Sequence, residues 1–105
     1  MFEYMPLGAI VNDKATSTKI FCVHGGIGTS LNKIEDIEKI SRPLKIKLGA
    51  INDTVQQMAM DILWSDPSAS DDVLGMSWNQ TRDPAKQNNI MHYGPDIVEK
   101  FINTN

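Results

Sequence analysis

One cysteine, no basic excess and no long apolar run: each shortage removes a class of protein. Cys22 is alone among 105 residues, which excludes an internal disulfide framework and fits a reducing compartment. Ten lysines and arginines face thirteen acidic residues, and a net charge of −3 leaves no basic footprint for nucleic acid. No apolar stretch approaches the roughly 20 residues needed to cross a bilayer. The start, Met1-Phe2-Glu3-Tyr4-Met5-Pro6, has neither the basic region nor the apolar core of a signal peptide. The expectation is an intracellular protein, in cytoplasm or nucleus, with neither a nucleic-acid nor a membrane partner. No repeat, low-complexity tract or long linker divides the chain. What is present suffices for a core, since 41% hydrophobic residues support one small α/β or α+β domain.

The stretch Ile20-Phe21-Cys22-Val23-His24-Gly25-Gly26-Ile27-Gly28-Thr29-Ser30 organises the rest. An apolar run ends abruptly in a histidine and enters a glycine loop, where the backbone takes shapes other residues resist. That pattern predicts a buried strand delivering one imidazole to the edge of a sheet. Leu7-Gly8-Ala9-Ile10-Val11 predicts another buried strand, and Lys19 to Val23 is its partner. Polar Asn12 to Thr18 between them predicts an antiparallel hairpin with a long loop. Ahead of it, Phe2 to Met5 resembles a severed helix end, stopped by Pro6.

Beyond the glycine loop, Leu31, Ile34, Ile37 and Ile40 recur at helical spacing. Asn32 with Glu35 makes a capping-box-like start, and Glu35 to Lys39 is a favourable i,i+4 pair. Ser41-Arg42-Pro43 ends this helix, because a residue before proline is pushed out of the α region. Leu44 to Ala50 reads as loop or a short extended piece. Asp53 with Gln56 opens a further helix, with Val55, Met58, Ala59, Ile62 and Leu63 as its apolar face and Met60 as core filling. Ser68 to Asn89 is long, polar and irregular, the mark of a functional or disordered segment. Gly94-Pro95-Asp96 then starts a last helix that buries Ile97, Val98, Phe101 and Ile102.

Three glycines after a strand invite a phosphate-loop reading, which fails on detail. The Walker pattern needs a lysine after the last glycine, and a dinucleotide fingerprint starting at Gly26 needs glycine where Leu31 stands. A metal-ligand role for His24 is better motivated, but catalytic metals take about three or more protein ligands and no others are evident. On local physics alone, a histidine hydrogen-bonded at a strand end is favoured over a ligand. His92 is expected to pack or cap, and Cys22 to lie in the core without a nucleophilic part. Trp64-Ser65-Asp66-Pro67 is either a helix stop with a buried indole, or a turn that presents Asp66 to a groove and a cationic or phosphorylated partner. Arg82, the one arginine of the long loop, has the fork that matches phosphate, although an isolated loop arginine is usually solvated.

Taken together, Phe21-Cys22-Val23-His24-Gly25-Gly26-Ile27, Leu63-Trp64-Ser65-Asp66-Pro67, Arg82 and Tyr93-Gly94 resemble the PPP-type metal-dependent serine/threonine protein phosphatases. Phe2 to Ala9 resembles that family's helix-to-strand passage, so the likeness is collinear over nearly the whole chain. Ile27-Gly28, Ser41-Arg42-Pro43 and Gly94-Pro95-Asp96 are similar to the branch that carries kelch repeats. The resemblance implies an α/β (α+β) fold, an incomplete part of a calcineurin-like metallophosphoesterase β-sandwich flanked by helices. It implies that His24 ligates one of two catalytic divalent metals, of the manganese, iron or zinc type. It also implies that Arg82 binds the substrate phosphate and that Asp66 lines an acidic groove beside the site. In such a site two ions about 3.5–4 Å apart activate a bridging water for in-line attack on phosphorus. The arginine clamps the oxygens onto which charge shifts.

The chain departs from the family at three places. Asp83 follows Arg82 where glycine is usual, a carboxylate expected to compete with phosphate for the guanidinium. Tyr93 stands where phenylalanine is usual, and the loop from Lys86 to Met91 does not match closely. The family's phrases glycine-aspartate-x-histidine, glycine-aspartate-x-x-aspartate-arginine-glycine and glycine-asparagine-histidine-glutamate do not occur, and they supply most of its metal ligands. The expectation is that residues 1–105 are a central-to-C-terminal part of one catalytic domain, inactive in isolation. Its parent would hydrolyse phosphoserine and phosphothreonine in phosphoprotein substrates, with any regulatory subunits left open. The alternative is a non-catalytic, truncated phosphatase-like module that binds a partner protein.

Overall fold

The computed structural model describes residues 1–49 and 53–105. Phe2–Tyr4 form a single 3₁₀ turn, with the Phe2 and Tyr4 side chains in solvent. Strands β1 (Gly8–Asp13) and β2 (Thr18–Val23) then pair antiparallel, in register from Gly8 opposite Val23 to Asp13 opposite Thr18. Their connection is tightened by Asp13, whose carboxylate accepts from the Ala15 amide at 3.0 Å and the Thr16 hydroxyl at 2.7 Å.

The antiparallel pairing is as expected; the long loop is not, because Asn12, Asp13 and Thr18 pair within the strands, and the burial differs as well. Ile10, Val11 and Ile20 are each about half exposed, and Cys22 is exposed where a core position was expected. The physical reason is layering: among the described residues this sheet has two strands only, and Ala9, Val11, Ile20 and Cys22 share a face that nothing covers.

The helix expected from Leu31 to Ile40 shrinks to one turn, α1 (Glu35–Glu38). Its N-cap position is Ile34, with no side-chain cap, so the Asn32 capping box is not formed. Three β-branched isoleucines and three closely spaced carboxylates weaken a longer helix. The Ile34 amide is taken instead by the Asn105 side chain at 2.8 Å, and Lys39 pairs with Asp36 at 2.7 Å rather than with Glu35. Leu31 and Ile40 are nevertheless buried. Residues 44–49 carry no strand, and Ala50 lies outside the described residues.

Helix α2 (Thr54–Trp64) starts as its sequence dictates, the Asp53 carboxylate accepting from the Val55 amide at 2.9 Å. It buries Gln57 through Ile62 in succession, the most enclosed segment of the chain. Strands β3 (Asp66–Pro67), β4 (Met76–Trp78) and β5 (Met91–Tyr93) form a second sheet in the order β3-β5-β4. β5 runs parallel to β3 and antiparallel to β4. The polar stretch from Ser68 to Asn89 therefore hides one short strand within irregular turns. Helix α3 (Pro95–Thr104) follows Gly94 and places Pro95 at its first position. Ile97, Val98 and Phe101 are only half-buried and Ile102 is exposed, so this face is less enclosed than its pattern predicts.

The core joins Ile27, Leu31, Ile40, Leu44, Met58, Ala59 and Ile62, with Phe21 and Phe101 stacked against it at 5.7 Å between ring centres. The loop leaving the hairpin touches both the end of α2 and, through Tyr93, the three-stranded sheet. The mixed α/β arrangement agrees with the fold class expected.

Candidate active site

The start of the glycine loop after β2 docks onto the last turn of α2 through backbone hydrogen bonds. The Gly25 amide donates to the Ile62 carbonyl at 2.7 Å, and the Gly26 amide reaches the same oxygen at 3.3 Å. A Cβ on Gly25 would stand 2.8 Å from the Trp64 amide nitrogen and 2.9 Å from the Ile62 carbonyl, which is why glycine is needed there. This close approach seats His24 beside the end of α2. A cleft of about 420 Å³ opens there, lined by His24, Gly25, Leu63, Trp64, Ser65, Asp66 and Arg82. The three residues singled out from sequence, His24, Asp66 and Arg82, therefore border one cavity.

Trp64 lines that cavity with 41% of its surface exposed, not as the buried indole of a plain helix stop. The stop is made by Ser65, which is buried and bonds the Asp61 carbonyl through both its amide and its hydroxyl. The chain then straightens into β3 and turns Asp66 toward Arg82. The Asp66 carboxylate accepts from Arg82 Nε at 3.0 Å, from Arg82 Nη2 at 3.4 Å and from Asn79 Nδ2 at 2.8 Å. The Arg82 guanidinium, aided by Asn79, holds the Asp66 carboxyl below its ordinary pKa of 3.8. Asp66 in turn raises Arg82, which is fully charged in any case. Two of the five guanidinium donors are engaged, and the others have no protein partner among the described residues.

Asp83, expected to compete for that guanidinium, does something else. It is buried and accepts from the backbone amides of Gln87 at 3.0 Å, Asn88 at 3.2 Å and Ile90 at 3.4 Å. Its carboxylate organises the 83–90 loop, and the competing anion is Asp66. Asn79 is the residue that sequence reasoning missed here. Fully buried, it bonds Asp66 through its amide nitrogen and takes the Arg82 backbone amide on its oxygen at 3.1 Å.

Asp61 was also missed. It is 1% exposed in the middle of α2's buried face, where it accepts from the Ser30 amide at 2.9 Å and from Gln57 Nε2 at 3.0 Å. Burial pushes its carboxyl above the ordinary value. The available signal was an acidic residue standing at i+3 from Met58 and next to Ile62, inside an apolar stripe. His92 sits in the middle of β5, opposite Asp66, with Nδ1 at 3.4 Å from the Pro67 carbonyl oxygen. It is a strand residue, not a helix cap.

The calcineurin-like phosphoesterases take divalent metals, and His24 is the one metal-capable imidazole on the cleft. Among the described residues no three His, Cys, Asp or Glu side chains gather closely enough to hold an ion. Asp66 is committed to Arg82 and Asn79. The donors of this segment by themselves do not fit a metal site.

The sequence pattern of the calcineurin-like phosphoesterases matches residues 1–105. The chain is 39% identical over 105 residues to the serine/threonine-protein phosphatase BSL2 of Arabidopsis thaliana, covering all of this chain and 9% of that protein. It is 35% identical over 106 aligned positions to the serine/threonine-protein phosphatase 4 catalytic subunit of Kluyveromyces lactis, covering 100% of this chain and 27% of that one. The chain thus spans a small part of each relative. No helix among the described residues is long and apolar enough to cross a membrane.

Proposed function

The chain belongs to the calcineurin-like phosphoesterase family, and on that premise we propose that it forms part of the catalytic domain of a serine/threonine protein phosphatase. The reaction is hydrolysis of phosphoserine and phosphothreonine monoesters in protein substrates. The observation that carries this reading is the convergence of His24, Asp66 and Arg82 on one cleft, from three separate stretches of sequence. Arg82 supplies fixed positive charge, with its fork oriented by Asp66 and Asn79 before substrate arrives. A guanidinium pre-aligned in this way stabilises phosphate oxygens without reorganising as charge develops on them.

In this reading His24 is one ligand of a pair of divalent ions, of the manganese, iron or zinc type, whose other ligands come from the remainder of a longer protein. Asp66 orients the arginine rather than reading a cationic partner. An exposed, unpaired Cys22 fits a reducing setting in cytoplasm or nucleus.

The decisive experiment is phosphate release from phosphoserine and phosphothreonine peptides by the full-length protein, alongside His24→Ala. Hydrolysis lost in the variant supports the reading; near-normal turnover by the variant removes His24 from the site. A second reading, a non-catalytic phosphatase-like module, is favoured by the lack of a metal-ligand cluster among the described residues. Phosphopeptide binding without turnover by the full-length protein is what it requires.

A further inference from the structure

The two sides of the cleft come from different parts of the fold, and one side chain ties them. His24 and Gly25 belong to the loop leaving the hairpin, whereas Asp66 belongs to the three-stranded sheet. Tyr93 is the last residue of β5, opposite Pro67 of β3 and Met76 of β4. From that sheet its hydroxyl donates to the Gly25 carbonyl at 3.3 Å. Its ring end lies so close to Gly26 that a Cβ there would collide with the hydroxyl. The Gly25–Gly26 peptide is therefore held at both ends, its carbonyl by Tyr93 and its amide by the Ile62 carbonyl. The preceding peptide, which bears His24, is fixed by the Gly25 amide on that same oxygen at 2.7 Å.

We infer that Tyr93 is a positioning residue for His24: its hydroxyl locks the Gly25–Gly26 peptide and sets the imidazole against the sheet that carries Asp66. A phenol is protonated at neutral pH at its ordinary pKa, and partial burial and the nearby Asp66 charge raise that of Tyr93 further. Phenylalanine in its place would fill the same space and leave the Gly25 carbonyl without this partner. The catalytic consequence rests on the phosphatase reading; the tether does not.

Tyr93→Phe in the full-length protein removes one hydroxyl and keeps the ring, so fold and ring-current environment are preserved. The primary readout is the Cε1–Hε1 NMR signal of His24 in histidine-labelled protein. The expected result is a shifted or broadened His24 signal with a urea midpoint close to the parent's. Phosphopeptide hydrolysis should show kcat down about threefold to tenfold with KM within about twofold, the size expected for one oriented hydrogen bond. An unmoved His24 signal overturns the inference, even where stability falls, because Tyr93 would then be a packing residue only. If the parent protein releases no phosphate, the phosphatase reading fails, while the His24 signal still decides the tether.

Discussion

Arg82 and the carboxylates around it show how far a side chain's role depends on what faces it. Arg82 meets Asp66 through two donors of a planar fork, a geometry that an ammonium cannot copy. In the full-length protein Arg82→Ala is expected to lower kcat/KM on a phosphopeptide about a hundredfold, and Arg82→Lys to recover only part of that loss. A loss that falls wholly on KM would instead make Arg82 a uniform binding group. The two carboxylates also predict opposite pH behaviour. Asp66 is depressed by Arg82, so its contribution to stability is present above its ordinary value of 3.8 and is lost as pH falls through the lower folded value. Asp61 is raised by burial, so the native state keeps its proton to higher pH than the unfolded chain. Stability therefore falls as pH rises from 3.8 through the folded value of Asp61. Urea midpoints across the acid range should show Asp66→Asn removing a rising slope and Asp61→Asn removing a falling one. Matching slopes in both variants would contradict the assignment.

At the scale of elements, local signals were legible wherever they were self-contained. The hairpin, α2 with its Asp53 cap and α3 after Pro95 follow from short apolar runs around a polar turn, capping chemistry and proline placement. His24, Asp66 and Arg82 were legible as a set only through resemblance, because no local rule links residues so far apart in sequence. Elements decided by distant partners were not legible. The pattern from Leu31 to Ile40 has helical period, yet Asn105 takes the Ile34 amide where a longer helix would have placed its own cap. β4 and β5 are three residues each and carry no alternation long enough to read. Asp61 and Gly28 are the sharpest case, since they meet only in the fold, across more than thirty positions of sequence. A Cβ on Gly28 would run into the Asp61 carboxyl, and no outlying φ is involved, so the need for glycine is purely steric. Gly28→Ala should therefore cost about 1–3 kcal/mol by overpacking, read from the urea midpoint. Combining it with Asp61→Ala should restore part of that loss relative to Asp61→Ala alone, since the colliding carboxyl is gone. Strict additivity would place the strain elsewhere.

At the scale of the whole molecule, apolar surface is the dominant unsatisfied quantity. Pairing in β1–β2 puts Val11 opposite Ile20 and Ala9 opposite Cys22 on one face, all of them exposed. The opposite face is only partly covered, and a groove of about 730 Å³ runs along it past Phe21, Val98 and Ile102. A hairpin apolar on both faces is built like the interior of a larger sheet, and it offers unpaired strand edges besides. At a net charge of only −3, repulsion between copies is too weak to keep such surfaces apart. The isolated 105-residue chain is therefore expected to self-associate with rising concentration, and added salt should not disperse it, because the attraction is hydrophobic. Sedimentation velocity can separate the two faces. Ala9→Lys combined with Cys22→Glu places an opposite-charge pair across the strands, keeps the hairpin register and breaks up the outer apolar face, with neither residue on the groove. Ile102→Asp alters the groove alone, at a side chain 65% exposed. If the outer face drives association, the double variant shifts the distribution toward monomer and Ile102→Asp leaves it unchanged. The reverse result would assign the attraction to the groove, and no change in either variant would contradict both assignments.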